Sequence, residues 1–260
     1  MGPHYHIKTR CTKHHRLQVV PSPKDNEALR KWLQEEEEKG YIRPSISPIA
    51  SSFFFLRKAD GLQRPVQDYR GINWHTVRNQ YPLPLIPELI AEVQDTFVFS
   101  KFDVEGGFNK VHIKDGDLHK AAFKTKYGLY EPMVMYFGLC NSPATFQNMM
   151  NHIFRPLKDK WAKRGVKIIV YMDDILIAMS TLLQDHRDAT HDVLDPLQEH
   201  DLFLKKKKCR WEVDSIDYLG LIHEKGVTRM DLTKVDGIKN WPRPAKGKDI
   251  RSFLGFCNFY

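Results

Sequence analysis

The chain has little cysteine: four in 260 residues. Cys11, Cys140, Cys209 and Cys257 stand far apart, and no two form a C-x-x-C pair. That spacing argues against a disulfide framework and for a reducing, intracellular setting. Long apolar runs are missing too. The strongest, Ile168 to Met179, is broken by Asp173-Asp174, whereas a membrane span needs roughly 20 apolar residues. No apolar core stands near the start, so no secretory leader is legible. Acid is absent from residues 1–23, which carry Lys8, Arg10, Lys13 and Arg16. Residues 1–24 therefore read as a flexible basic arm able to lie on a polyanion. Its histidines and Cys11 match no zinc spacing.

What is present is a folding composition, 42% apolar and 28% charged,. Lys and Arg outnumber Asp and Glu by 40 to 32, a net charge of +8. Such a balance favours nucleic acid or an anionic surface as partner. A helix is expected from Asp25 to Lys39, with Ala28, Leu29, Trp32 and Leu33 as its apolar stripe and Gly40 as its stop,. Phe53–Leu56 and Arg64–Tyr69 flank Asp60-Gly61 and predict a hairpin,. Tyr81-Pro82-Leu83-Pro84-Leu85 must be extended,. Phe97 to Val104 reads as a strand. Ser142-Pro143 opens a helix, with Ser142 as cap and Phe146, Met149, Met150, Ile153, Phe154 and Leu157 on its core face,. Another helix covers Leu183 to His200, broken or kinked at Pro196,. Phe203–Cys209 and Ile216–Ile222 are expected as strands. The irregular interleaving of helices, strands and hairpins gives the class α+β.

The carboxylates need an explanation. Ile168–Met172 and Ile175–Met179 are β-prone runs with Asp173 and Asp174 between them, the only charged residues from Ile168 to Leu182. Two acids among apolar residues repel each other and are costly to desolvate. Either they sit solvated at a turn or a cation sits on them. Asp103 also ends an apolar strand and is followed by Gly106-Gly107. Three carboxylates at two strand ends suit hard divalent ions such as Mg²⁺. A pair of ions about 3.5–4 Å apart can clamp the attacking and leaving oxygens of a phosphoryl transfer.

Tyr171-Met172-Asp173-Asp174 resembles the Y-x-D-D signature of reverse transcriptases. Its company is in the matching order: Gln67-Asp68-Tyr69-Arg70, Tyr81-Pro82-Leu83-Pro84, Phe102-Asp103-Val104, Phe137-Gly138-Leu139-Cys140-Asn141-Ser142-Pro143-Ala144-Thr145-Phe146-Gln147 and Tyr218-Leu219-Gly220. The detail is similar to gypsy-type LTR retrotransposons, those of fungi in particular, and covers about residues 25–260. Glu105 and His112 stand where that pattern commonly has basic residues.

The resemblance implies a right-hand polymerase fold. Fingers would be residues 25–78 and 111–137, palm 79–110 and 138–230, and 231–260 only the start of a thumb, in a piece of a longer polyprotein with RNase H and integrase regions. It implies an RNA-directed DNA polymerase that extends a primer 3′-OH on an RNA or DNA template with deoxynucleoside triphosphates. The cofactor would be two Mg²⁺, with Mn²⁺ able to substitute. The location would be intracellular: cytoplasm, virus-like particle or nucleus. Asp103 and Asp173 would be the main metal ligands, with the Val104 carbonyl assisting and Asp174 in support. Lys58 and Arg64 would hold the triphosphate, or be ordinary surface charge. Gly106 and Gly107 would let backbone N–H groups approach phosphate, or simply make a turn. Phe108 would exclude a ribose 2′-OH, or be a core aromatic. Asn141 would shape the nucleotide pocket. Tyr171 and Met172 would lie at the primer terminus, and Tyr218, Leu219 and Gly220 would grip the primer. Lys205–Lys208 would be a solvated face, or Lys208 would donate a proton to the leaving pyrophosphate. The rival reading is a degenerate copy that binds nucleic acid without turnover.

Overall fold

The computed structural model describes residues 5, 7, 23–57, 63–180 and 182–258. In chain order the elements are α1 (Pro23–Glu38), β1 (Ile42–Pro44), β2 (Ser51–Arg57), β3 (Gln63–Gln67), α2 (Arg70–His75), α3 (Ile86–Val93), β4 (Val98–Asp103), β5 (Phe123–Thr125), β6 (Gly128–Pro132), α4 (Ser142–Ala162), β7 (Val166–Tyr171), β8 (Asp174–Met179), α5 (Leu183–Glu199), β9 (Arg210–Val213), β10 (Ser215–Tyr218), β11 (Leu221–Glu224), β12 (Val227–Met230), α6 (Leu232–Lys239) and α7 (Gly247–Cys257). The chain divides into two compact units, residues 1–83, 104–153 and 197–203 in one and 84–103, 154–196 and 204–260 in the other.

The first unit holds a five-stranded sheet in the order β1-β6-β5-β2-β3. The expected hairpin is its β2–β3 pair, in register from Phe53 opposite Gln67 to Arg57 opposite Gln63. The tip, with Lys58, lies outside the described residues. Helix α1 forms because its apolar residues recur at helical spacing, and Leu29 and Leu33 are buried,. Trp32 packs on Phe53 at 5.0 Å, Phe123 at 6.0 Å and Tyr136 at 6.2 Å. The Tyr136 hydroxyl donates to the buried Glu36 carboxylate. Gly40 ends the helix at φ +69°, a left-handed conformation that costs glycine nothing,.

The second unit holds a four-stranded sheet, β7-β8-β4-β9, and a three-stranded one, β10-β11-β12. β8 is buried from Ile175 to Met179, which explains an unbroken apolar run where a half-exposed strand would alternate. Leu89 and Val93 of α3 join Phe99, Ile169, Leu176, Ala178, Ile216 and Tyr218 in one apolar cluster. This core anchors the strand ends that carry the acids. No helix among the described residues is long and apolar enough to cross a membrane. Cys140, Cys209 and Cys257 are free thiols.

Several expectations are corrected. Of residues 1–24 only 5, 7, 23 and 24 are described, and of these Tyr5 and Ile7 are buried: the Tyr5 N–H donates to the His112 carbonyl at 2.8 Å, and the Ile7 N–H donates to Asp117 at 3.0 Å. Helix α4 starts one residue early, because the Asn141 carbonyl already accepts from the Thr145 N–H. α5 runs unbroken through Pro196, which sits in the last turn where few ladder bonds remain to lose,. Phe203–Cys209 is not a strand; Lys206–Lys208 form a 3₁₀ turn. In such a turn side chains three apart eclipse, so Lys205 and Lys208 point the same way, which a strand would forbid. Ile216–Ile222 is two strands, since Leu219 and Gly220 both take positive φ, 52° and 81°, and turn the chain as a tight hairpin,.

Leu176→Ala is expected to cost about 2–5 kcal/mol, because Leu176 is fully buried in the second unit,. Leu254→Ala, half exposed on α7, should stay within about 0.5 kcal/mol. Urea unfolding of both variants checks the contrast.

Candidate active site

Asp103 is the last residue of β4 and Asp174 the first of β8, and the antiparallel register sets them directly opposite each other. Residues so paired share a face, with Cβ atoms about 4.5–5.5 Å apart. Asp174, expected only in support, is thus the acid across from Asp103. Asp173 sits with Met172 in the two-residue turn joining β7 to β8. Met172 has φ +53°, at the turn position where glycine is favoured. A non-glycine residue there stores strain of about 1–2 kcal/mol.

Basic side chains converge on the acids. Lys205 Nζ lies 2.8 Å from one Asp103 oxygen and Lys208 Nζ 2.9 Å from the other. The Lys205 N–H also donates to the Asp103 main-chain carbonyl at 2.9 Å. Lys101 Nζ is 3.4 Å from Asp174 and donates to the Asp217 carbonyl at 3.1 Å. It stands 5.9 Å over the Tyr218 ring. Burial pushes the Asp103 carboxyl up, but the Lys205 and Lys208 ammonium groups outweigh it and leave it below its ordinary value. Burial pushes Asp174 up; Lys101 opposes, Asp173 and Asp103 add repulsion, and the net direction is up. The Asp103 hydrogen bond holds Lys208 above the usual lysine value. Lys101, Asp103, Asp174, Lys208, Arg210 and Asp217 line a cavity of about 390 Å³.

Among the described residues no three His, Cys, Asp or Glu side chains form a ready-made metal cage. The donor chemistry nevertheless fits a hard divalent cation: carboxylate oxygens from Asp103, Asp173 and Asp174 whose charges act on one another,. Ammonium groups already occupy the places where positive charge is favoured.

The other expected residues fall as follows. Tyr171 packs partly buried against the apolar cluster, as does Leu219. Tyr218 is fully buried and Gly220 completes its hairpin turn. Val104, next after Asp103, is fully buried. The remainder lie in the first unit. The Arg64 guanidinium stacks 4.3 Å over the Phe137 ring, Phe137 meets Phe108 at 4.9 Å, and Phe108 meets Phe146 edge-on at 5.2 Å. Gly106 has φ +57°, and Gly107 is packed so closely that a Cβ there would overlap the Phe146 ring. Asn141 spends its amide on the connector: its Oδ1 accepts from the Asn79 N–H at 3.0 Å and its Nδ2 donates to the Val77 carbonyl at 2.9 Å. Sequence reasoning missed Lys101 and Lys205. The signal for Lys101 was there: two residues before Asp103 on one strand means the same face.

Comparison with known proteins agrees across most of the chain. The family model described as reverse transcriptase (RNA-dependent DNA polymerase) matches residues 56–223. The Transposon Tf2-3 and Tf2-7 polyproteins of Schizosaccharomyces pombe are each 32% identical over 238 residues, 91% of this chain. The chain spans 17% of their length. Among solved structures, the foamy viral protease-reverse transcriptase in complex with an RNA/DNA hybrid superposes with a TM-score of 0.85 at 20% identity, over 100% of this chain and 34% of that one. A form of it in complex with double-stranded DNA gives 0.88 at 20% identity, over 100% and 44%. That likeness establishes the polymerase fold.

The two opposed acids should respond in opposite directions. Asp103, held low, adds stability above its unfolded value of about 3.9, and this is lost as pH falls through its folded value. Asp174, held high, adds stability below its unfolded value, and this is lost as pH rises through its folded value. At neutral pH Asp103→Asn should lower the melting temperature and Asp174→Asn should raise it. Thermal melts across the acid range check this; shifts of equal sign would contradict it.

Proposed function

Because the chain belongs to the reverse transcriptase (RNA-dependent DNA polymerase) family, we propose that it carries the polymerising part of a retrotransposon polyprotein and extends a primer 3′-OH on an RNA or DNA template. The observation that carries the reading is Asp103 set opposite Asp174 at the ends of paired strands, with Asp173 in the adjoining turn and lysines on both paired acids. The relatives' complexes with an RNA/DNA hybrid and with double-stranded DNA support template and primer as partners. The net charge of +8 agrees with a polyanionic partner,.

In this reading Asp103, Asp173 and Asp174 would hold two Mg²⁺, with the Val104 carbonyl assisting. When bound, such ions neutralise charge at the reacting phosphate and favour ionisation of the attacking hydroxyl. The chain's own groups do the rest. The bond from the primer 3′-oxygen to the α-phosphorus forms as the bond to pyrophosphate breaks. Lys208, kept protonated by its carboxylate partner, delivers a proton from Nζ to the leaving pyrophosphate oxygen. Arg64 and Lys58 hold the triphosphate. Gly106 and Gly107 leave the backbone open to it, and Phe108 bars a 2′-hydroxyl. Asn141, hydrogen-bonded to the connector 77–79, shapes the nucleotide pocket. Tyr171 and Met172 meet the primer end, and Tyr218, Leu219 and Gly220 hold its strand. Residues 25–78 and 111–137 are assigned to fingers, 79–110 and 138–230 to palm, and 231–260 to the start of a thumb. The five-stranded sheet of the first unit and the acid-bearing sheet of the second support that division.

Primer extension on poly(rA)–oligo(dT) with Mg²⁺ and dTTP tests the reading. Asp103→Asn and Asp173→Asn should abolish extension, and Lys208→Met should lower kcat by about 10²-fold while leaving the KM for dTTP nearly unchanged. Undiminished extension by Asp103→Asn would contradict it. A folded chain that binds primer–template and never extends it would be a nucleic-acid-binding domain instead.

A further inference from the structure

The pairing of β4 with β9 contains an irregularity whose consequence reaches the acids. Phe99 lies opposite Val213, but Lys101 lies opposite Arg210. Ser100 alone therefore faces two residues, Trp211 and Glu212, which makes a β-bulge in β9. Glu212 has φ +47° there, a conformation strained for any residue but glycine,. Without the extra residue, the register carried on from Phe99 would bring Trp211 opposite Lys101. With it Arg210 stands there and the chain enters the 3₁₀ turn one residue sooner, with Lys208 Nζ 2.9 Å from the Asp103 carboxylate. A one-residue slip turns every side chain of a strand to the other face, so the bulge sets which residues lead from β9 into the turn that carries Lys208.

The bulge is pinned from three directions. The Glu212 N–H donates to Ser100 Oγ at 3.1 Å. Ser100 Oγ is itself 2.8 Å from His186 Nε2. The Glu212 carboxylate accepts two hydrogen bonds of 2.8 Å from Arg187, next to His186 on α5. Ser100 and His186 are both fully buried, and His186 Nδ1 has no partner among the described residues.

We propose that Ser100 and His186 are positioning residues: they hold the bulge at Glu212 and thereby set Lys208 against Asp103. The assay rests on the polymerase reading; the geometry does not. Ser100 and His186 act through Lys208, so their effect belongs in the step that Lys208 serves and not in nucleotide binding.

The test is a double-mutant cycle in single-nucleotide extension. Ser100→Ala should lower kcat about tenfold with the KM for dTTP changed less than about twofold, and Ser100→Thr, which keeps the hydroxyl, should restore most of it. In a Lys208→Met background Ser100→Ala should cost nothing more. An equal loss in both backgrounds, or an unchanged kcat in Ser100→Ala, would overturn the proposal. If the unaltered chain folds and does not extend, the polymerase reading fails by itself. The same cycle is then read in urea unfolding, where non-additive losses for Ser100→Ala and Lys208→Met support the positioning and additive losses refute it.

Discussion

Like charges are held together at the ends of apolar strands, and the second unit is organised around that constraint. Asp103 and Asp174 are opposed by strand register and cannot move apart without unpairing β4 from β8. Burial and mutual repulsion both work against their ionised forms. Three lysines answer this: Lys205 and Lys208 on Asp103, Lys101 on Asp174. The apolar cluster of Leu89, Val93, Phe99, Ile169, Leu176 and its neighbours makes the strand ends rigid enough to keep the acids in place,.

Some features that look unfavourable bear on these acids. Met172 is strained in the turn with Asp173, Glu212 is strained in the bulge, and His186 leaves a buried nitrogen unpaired among the described residues. Asp174 is kept above its ordinary carboxyl value. A protein selected for stability alone would tend to shed such features. The first unit shows the same economy in another chemistry: an arginine stacked on an aromatic chain, Phe137, Phe108 and Phe146, beside a glycine that admits no side chain.

Much of this was legible in the residues. Periodicity gave α1, α4 and α5, and the apolar runs around Asp173-Asp174 gave the β7–β8 hairpin. Motif order gave the family. What escaped was governed by tertiary contacts. Four lysines after Leu204 looked like the end of a strand, yet the pull of Asp103 on Lys205 and Lys208 favours a 3₁₀ turn. Tyr5 and Ile7 sit in a polar, basic stretch, and only their partners His112 and Asp117 mark them as buried. The bulge opposite Ser100 has no local signature at all, since Glu212 is neither glycine nor asparagine. It follows from pairing between distant strands, which single-sequence patterns do not encode.

The central claim is that the acids of β4 and β8 form a cation site now held by lysine. Crystals soaked with Mn²⁺ and examined for anomalous scattering test it most directly. The account predicts a peak among Asp103, Asp173 and Asp174, with at least one of Lys205 and Lys208 drawn off Asp103. Saturating Mn²⁺ with no peak there, and both lysines still on Asp103, would contradict it.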